Sequence, residues 1–451
     1  MKVHRSNGGP PRGALRRCLA VVATVLAVAT TLAGAGVASA SAGGQSARAA
    51  ATPQLQVFYR SPVLVRPGEG VRIPVDAVCV ANGVPCAAQV RLSIDGSRAR
   101  SVAAVAGPEV VFDLSRPAGR MPAGGRLDYR LSATAVGSAS VAVPGSAGGA
   151  LHVYIAPRMA SVALPGIPFG TYGSGRTVLF LPWGSGEADA GLSAGEEAAT
   201  LGPPSFAIAP DGTIELADAF HQRILEFRNG RLIANLRLAM SPQTDIAIGA
   251  DGQTFVASDF AIGERETRFT VLDAGGDLES TQTAPGSILS QIGTNGISAF
   301  ARVLPLDAWV PFPTSSAEPT AHTGLPLASG GMLLRSVVGN TVRLGIAKGN
   351  GVTDAVELRS SAQLGDLAFA APVGPGGYVA VVRVVTPAGD QYEVVRLGVD
   401  GAVAAFAVPS HQYAESMPQA QFRLGPDGAL YQLKTSPDGV RIVRYSMGGT
   451  R

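Results

Sequence analysis

Asp218, His221 and Arg223 stand close together in the stretch Ala217-Asp218-Ala219-Phe220-His221-Gln222-Arg223. A carboxylate three residues before an imidazole can hold the ring as a general base, and the guanidinium competes for the same carboxylate. Catalysis by such a pair needs a nucleophile or a third group within hydrogen-bond reach. The stretch supplies neither. Two readings follow. Asp218 and Arg223 fix a tight turn, or His221 and Asp218 point toward a ligand. Outside the first 40 residues the histidines are His152, His221, His322 and His411. Three of them would have to converge on one channel to hold a metal, and their local contexts share no pattern.

A second candidate lies in the Pro-rich insert Pro305 to Pro326, which carries Trp309, Phe312 and His322. Trp309 and Phe312 either anchor a partner, as interface aromatics do, or close an apolar gap over the fold. The sequence has no Gly-x-Ser-x-Gly elbow, no His-Glu-x-x-His, no phosphate-binding Gly-Lys-Ser/Thr and no dinucleotide fingerprint. It therefore offers no catalytic, cofactor-binding or metal-ligating set. Cys79 and Cys86 flank Val80-Ala81-Asn82-Gly83-Val84-Pro85, which reads as strand, turn, strand. In an oxidising compartment that arrangement predicts a disulfide.

The elements that must position these residues are short strands. Phe206 to Phe227 holds three apolar runs separated by Asp211-Gly212 and the Asp218 turn, and Asn229-Gly230 follows. Asp-Gly and Asn-Gly are hairpin signals because they tolerate positive φ. One meander of this size is not stable alone, so copies are expected. Ile246 to Ala257 repeats the pattern around Asp251-Gly252, and Phe422 to Leu433 repeats it around Asp427-Gly428. Asp211 and Asp251 are 40 residues apart, and Asp427 lies a further 176 along, four steps of 44. A period near 43 places six units after Pro204. The interior three are weaker, at Ile297–Val310, Met332–Leu358 and Leu367–Val408. Four strands in about 40 residues is the arithmetic of a propeller blade.

Phe206 to Phe227 resembles an NHL repeat, the blade unit of six-bladed propellers, through Asp211, Gly212, Asp218, Arg223, Ile224 and Phe227. His221 stands where that family usually has Asn. The second copy has Ser258, and the last Lys434, in the place of Asp218. The resemblance implies a ring in which an N-terminal strand completes the last blade, with Thr177 to Pro182 as the candidate. Related propellers include zinc-dependent amidating lyases and regucalcin-like enzymes, and the turn aspartates here do not match the channel ligands of the latter.

Before the repeats, apolar residues alternate with polar ones in about seven runs, such as Val71-Ile73-Val75 and Val90-Leu92-Ile94. That density of short strands predicts an immunoglobulin-like sandwich. The chain is therefore expected to be all-β. Residues 1–40 form a signal peptide, 41–53 a disordered linker, 54–157 the Ig-like β-sandwich, 158–175 a linker, and 176–451 a six-bladed β-propeller of the NHL or TolB-like kind. Lys2, Arg5, Arg12, Arg16 and Arg17 precede an uncharged stretch ending in Ala38-Ser39-Ala40 or Ala40-Ser41-Ala42, which is the pattern of an export signal. Arg16-Arg17 leaves twin-Arg export open. The chain carries +3 overall, so loss of those five basic residues leaves about −2 and no basic stripe for nucleic acid. The expectation is a secreted or cell-surface monomer that touches a membrane only if the signal stays uncleaved. Its propeller loops bind a protein, peptide or cell-envelope glycan, with His221, Asp218, Trp309 and Phe312 as candidate ligand-face residues. The alternative is an exported metal-dependent lyase or hydrolase with its site in the channel.

Overall fold

The structure is a computed structural model that describes residues 54–59, 63–81, 84–94, 100–104, 110–114, 121–135, 140–143, 150–193, 199–260, 266–285, 288–304, 308–312, 321–398, 401–414 and 420–448. The expected leader, 1–40, and linker, 41–53, lie outside these residues. Among the described residues every regular element is a strand. No helix there is long and apolar enough to cross a membrane.

Two sheets form first. One joins Gln54–Tyr59, Arg72–Ala81, Val84–Pro85 and Val110–Asp113, and the other Leu64–Val65, Leu151–Ile155, Arg126–Ala135, Ala88–Ile94, Arg100–Ala104 and Ser140–Val143. They share one core, to which Val57, Ile73 and Val75 come from the first sheet and Val90, Leu92, Leu131 and Val153 from the second. The period-2 burial of Ala88–Ile94 is what places its odd side chains out and its even ones in. Cys79 and Cys86 are disulfide-bonded, with Cα atoms 5.0 Å apart, and pin the short hairpin as the sequence predicted.

Six more sheets follow in the described residues. Sheet I is Ser205–Ile208, Ile214–Asp218, Arg223–Arg228 and Arg231–Arg237. Sheet II is Thr244–Ile248, Thr254–Phe260, Glu266–Leu272 and Leu278–Pro285. Sheet III is Ile288–Thr294, Ala299–Leu304 and Ala308–Pro311, with His322 bridged to Trp309 at its edge. Sheet IV is Leu325–Leu327, Gly331–Val338, Thr341–Lys348 and Gly351–Arg359. Sheet V is Gln363–Pro372, Tyr378–Thr386, Gly389–Gly398 and Gly401–Pro409. Sheet VI is Phe422–Leu424, Leu430–Ser436 and Gly439–Tyr445, completed by Arg176–Pro182. Each sheet touches the next through its inner strands, and VI returns to I. Antiparallel sheets arranged in such a ring make a β-propeller. The faces of neighbouring sheets bury one another. Phe206, Leu216 and Leu225 of sheet I pack on Leu433 and Ile442 of sheet VI, while Ala207, Ala217 and Ile224 pack on Ile246 and Val256 of sheet II.

The turns are those the sequence encodes. Gly212, Gly252 and Gly428 have φ of +85°, +89° and +70°, and Asn229-Gly230 has both residues positive, at +52° and +75°. The three weaker units begin earlier than their apolar runs suggested, at Ile288, Leu325 and Gln363.

Residues 158–175, expected as a linker, lie along the outside of the ring. Ala160–Ala163 adds a parallel strand to the outer edge of sheet IV. Tyr172 and Gly173 then lie beside Ala407 of sheet V, and Arg176–Pro182 pairs with sheet VI. Buried Gln391 and Glu393 hold the middle of this belt: Gln391 Nε2 donates to Ile167 O at 2.7 Å, and Ile167 N donates to Glu393 Oε1 at 3.0 Å. The sandwich seats on sheet IV. Leu64, Tyr154 and Ala156 pack on Leu334, Ala347, Val352 and Ala355. Glu357, 2% exposed, receives Arg66, Arg343 and Arg359 at 3.2, 2.9 and 2.6 Å.

Candidate functional site

Antiparallel strands put alternate connections at opposite ends of the ring. The Asp-Gly turns lie at one end. The turns between second and third strands, and the connections between sheets, lie at the other, here termed the loop face.

Asp218 ends the second strand of sheet I on that face, and Arg223 begins the third directly opposite it. Between them the chain turns tightly, with His221 N donating to Asp218 O and Gln222 at φ +55°. The Asp218 carboxylate is fully buried. Its Oδ2 accepts from Arg223 Nε at 3.0 Å and lies 2.7 Å from His221 Nδ1, and its Oδ1 accepts from Gly191 N at 3.1 Å. A Cβ at position 191 would sit 2.6 Å from Asp218 Oδ1, so only glycine allows this approach. Arg223 in turn donates to the carbonyls of Gly186, Glu187 and Asp189 at 3.1, 3.0 and 2.6 Å. The two residues thus fasten the connection from the closing strand onto sheet I. Buried charges of this kind persist where hydrogen bonds offset the loss of water, as they do here on both oxygens of Asp218 and all three nitrogens of Arg223. His221 Nδ1 faces Asp218 Oδ2 and lies 3.1 Å from Arg223 Nη2, so Nε2 is the ring nitrogen of His221 that has no partner among the described residues. Its side chain is 25% exposed, against 0% for Asp218 and 4% for Arg223.

The other candidates do not join it. Trp309 and Phe312 are 2% and 7% exposed. Phe312 meets Phe255 and Phe269 edge-on between sheets II and III, and Arg335 covers Trp309. Their burial corrects the ligand-face reading of both and favours gap closure, because an indole or phenyl ring wedged between sheets has no surface to offer. His152 lies in the sandwich, 2.8 Å from Asp128. His322 lies at the edge of sheet III against Phe300. His411 lies on the connection between sheets V and VI. Burial lowers the pKa of both His152 and His322. Among the described residues no three His, Cys, Asp or Glu side chains come together in a group that could hold a metal ion.

Near the axis the ring is crossed by an ion pair. Arg423 of sheet VI reaches past Phe206 of sheet I to Asp245 of sheet II, with Nη2 2.5 Å from Oδ1 and 3.1 Å from Ile246 O. Asp245 Oδ2 accepts from Ile292 N of sheet III at 2.6 Å. Burial pushes the Asp245 carboxyl up, and Arg423 and the Ile292 and Ile246 amides oppose it. Inner strands expose unpaired edge groups, and this pair covers several of them. The repeats carried a sign of it. Aligned on Asp-Gly, Asp245 takes the place of Ser205 and Gln421, and Arg423 that of Ala207 and Ala247. Opposite charges interrupt the same inner strand in two copies.

No family model matches the sequence, and no curated protein matches it. Several solved structures are similar in shape. Virginiamycin B lyase from Staphylococcus aureus is 10% identical, covering 57% of this chain and 99% of its own, with a TM-score of 0.34. A gluconolactonase from Xanthomonas campestris is 12% identical, covering 61% and 99%, at 0.33. The β-propeller domain of the Trilobed protease from Pyrococcus furiosus is 9% identical, covering 87% and 96%, at 0.29. Likeness of this degree carries no argument about ligand or chemistry, and the propeller stands on the ring of sheets itself.

Proposed function

We propose that the chain is an exported, non-catalytic binding protein: an Ig-like sandwich seated on a six-bladed, NHL-type propeller whose loop face, around sheets VI and I, takes a protein, peptide or cell-envelope glycan. The observation that carries this reading is the fastening of the 184–191 connection by Asp218 and Arg223, which leaves His221 alone of the three open to solvent on a fixed surface. A rigid loop with one unpartnered ring nitrogen is suited to binding, because little order has to be imposed on contact. The axial Asp245–Arg423 pair supports the same reading, since it occupies the place where a channel site would be built. Six ring sheets and the sandwich core support the finer architecture, and the leader pattern together with the disulfide supports export.

Co-sedimentation with insoluble cell-wall sacculi tests the binding reading. Retention of the protein on the pellet, weakened several-fold by His221→Ala with unchanged melting, is the expected result. Elemental analysis tests the enzyme alternative. One tightly held divalent metal per chain, lost on His221→Ala, would sink the binding reading.

A further inference from the structure

Sheet VI carries two cations on one rung of its ladder near the loop face. Lys434 lies directly opposite Arg441, and Arg441 directly opposite Phe180 of the closing strand. Like charges directly opposite one another disfavour a strand pair. Arg441 is compensated: its Nη2 and Nη1 donate to Asp438 at 2.6 and 3.0 Å, and its guanidinium lies 4.6 Å from the centroid of the Phe180 ring. Lys434 is not. It is half-buried, it forms no hydrogen bond or ion pair among the described residues, and the ionisable group that acts on it is the Arg441 cation. Burial and that cation lower its pKa. The rung therefore holds two positive charges and one carboxylate. An ammonium taken partly out of water without an acceptor is costly, and an arriving anion removes the cost.

The surroundings narrow the ligand. Phe180 and Tyr413 are each 43% exposed. Tyr413 N donates to the carbonyl of Thr435, the residue after Lys434, at 3.4 Å, so its backbone runs beside the lysine. Exposed rings offer flat apolar faces, and sugar rings present C–H faces of matching shape. Acidic peptides lack that feature.

We infer that Lys434 is the anion subsite of the loop face, taking the acidic group of a charged carbohydrate whose ring lies against Phe180 or Tyr413. This rests on the binding reading above and adds a ligand class to it. The acidic group is a carboxylate or a phosphate, which bind an ammonium alike.

Calorimetric titration of the whole protein with oligogalacturonate, with a phosphate-bearing oligosaccharide, with neutral galactan and with polyglutamate provides the test. At least one acidic sugar should bind about tenfold or more tightly than galactan, the size expected for one charged hydrogen bond. Lys434→Gln should abolish the difference and Lys434→Arg should keep it. Lys348→Gln, at an exposed site, should leave it unchanged. Should Lys434→Gln fail to fold, Lys434→Met serves the same purpose. Equal affinity for galactan and both acidic sugars overturns the subsite but leaves the binding reading standing. Undiminished acidic preference in Lys434→Gln overturns it too, as does preference for polyglutamate over both sugars.

Discussion

Glu215 should make the propeller weaken as pH rises. It lies in the second strand of sheet I, 5% exposed, directly opposite Glu226 across the ladder. Thr254 of sheet II donates to it at 2.9 Å. Burial pushes its carboxyl up to about 7, with Glu226 and Asp211 adding and Thr254 opposing. The unfolded chain titrates near 4.5. The folded state therefore binds the proton more tightly. The stability tied to that proton is complete below about pH 4.5 and is lost as pH rises through about 7. At 1.36 kcal/mol per unit the loss is about 3 kcal/mol by pH 8. Glu215→Gln mimics the neutral acid and still accepts from Thr254. Urea unfolding of both proteins should give nearly equal stability at pH 4 and a variant about 3 kcal/mol more stable at pH 8. Other titrating groups cancel in that difference. A difference independent of pH would refute the reasoning.

Arg423→Met should cost about 3–5 kcal/mol, because it strands the Asp245 charge. Adding Asp245→Asn should restore at least about 2 kcal/mol in the same urea assay, and simple additivity would deny the coupling. Glu357 behaves oppositely to Glu215: burial raises it, but Arg359, Arg66 and Arg343 hold it at about 2. Its contribution is present above about pH 4.5 and fades as pH falls toward 2. Glu357→Gln should thus cost about 3 kcal/mol at pH 7 and far less at pH 2.5, read by chemical unfolding. Reduction of Cys79–Cys86, which are seven residues apart, should cost about 2.5 kcal/mol by loop entropy. Calorimetry should place that loss in the transition of the sandwich.

Short-range chemistry is what the sequence made legible. Asp211-Gly212, Asn229-Gly230 and Asp427-Gly428 mark turns because the φ signs they need are local. The Cys79–Cys86 hairpin follows from its strand, turn, strand order, and the closing strand over Thr177–Pro182 from the resemblance to NHL-type propellers. The hidden parts depend on partners far along the chain. Asp245 and Arg423 are 178 residues apart, and nothing in either strand alone says they meet. Trp309 and Phe312 look like surface aromatics among prolines until Phe255 and Phe269 are seen to cover Phe312. Residues 158–175 are rich in Pro and Gly and read as linker, yet their amides and carbonyls are claimed by sheets IV and V. The Asp218 cluster was half legible. The turn was, but the 184–191 connection that Arg223 holds was not.

The belt has a consequence for biosynthesis. Pro182 pairs with Gly439, so the closing strand emerges from the ribosome 257 residues before its partner. At ~5–20 residues per second it stays unpaired for roughly 10–50 s. Ala160–Ala163 waits likewise for Val356–Arg359. Open strand edges recruit other strands. This chain is therefore most exposed to aggregation as it is being made, and a holdase that covers residues 160–182 should raise its yield more than one acting on the finished chain.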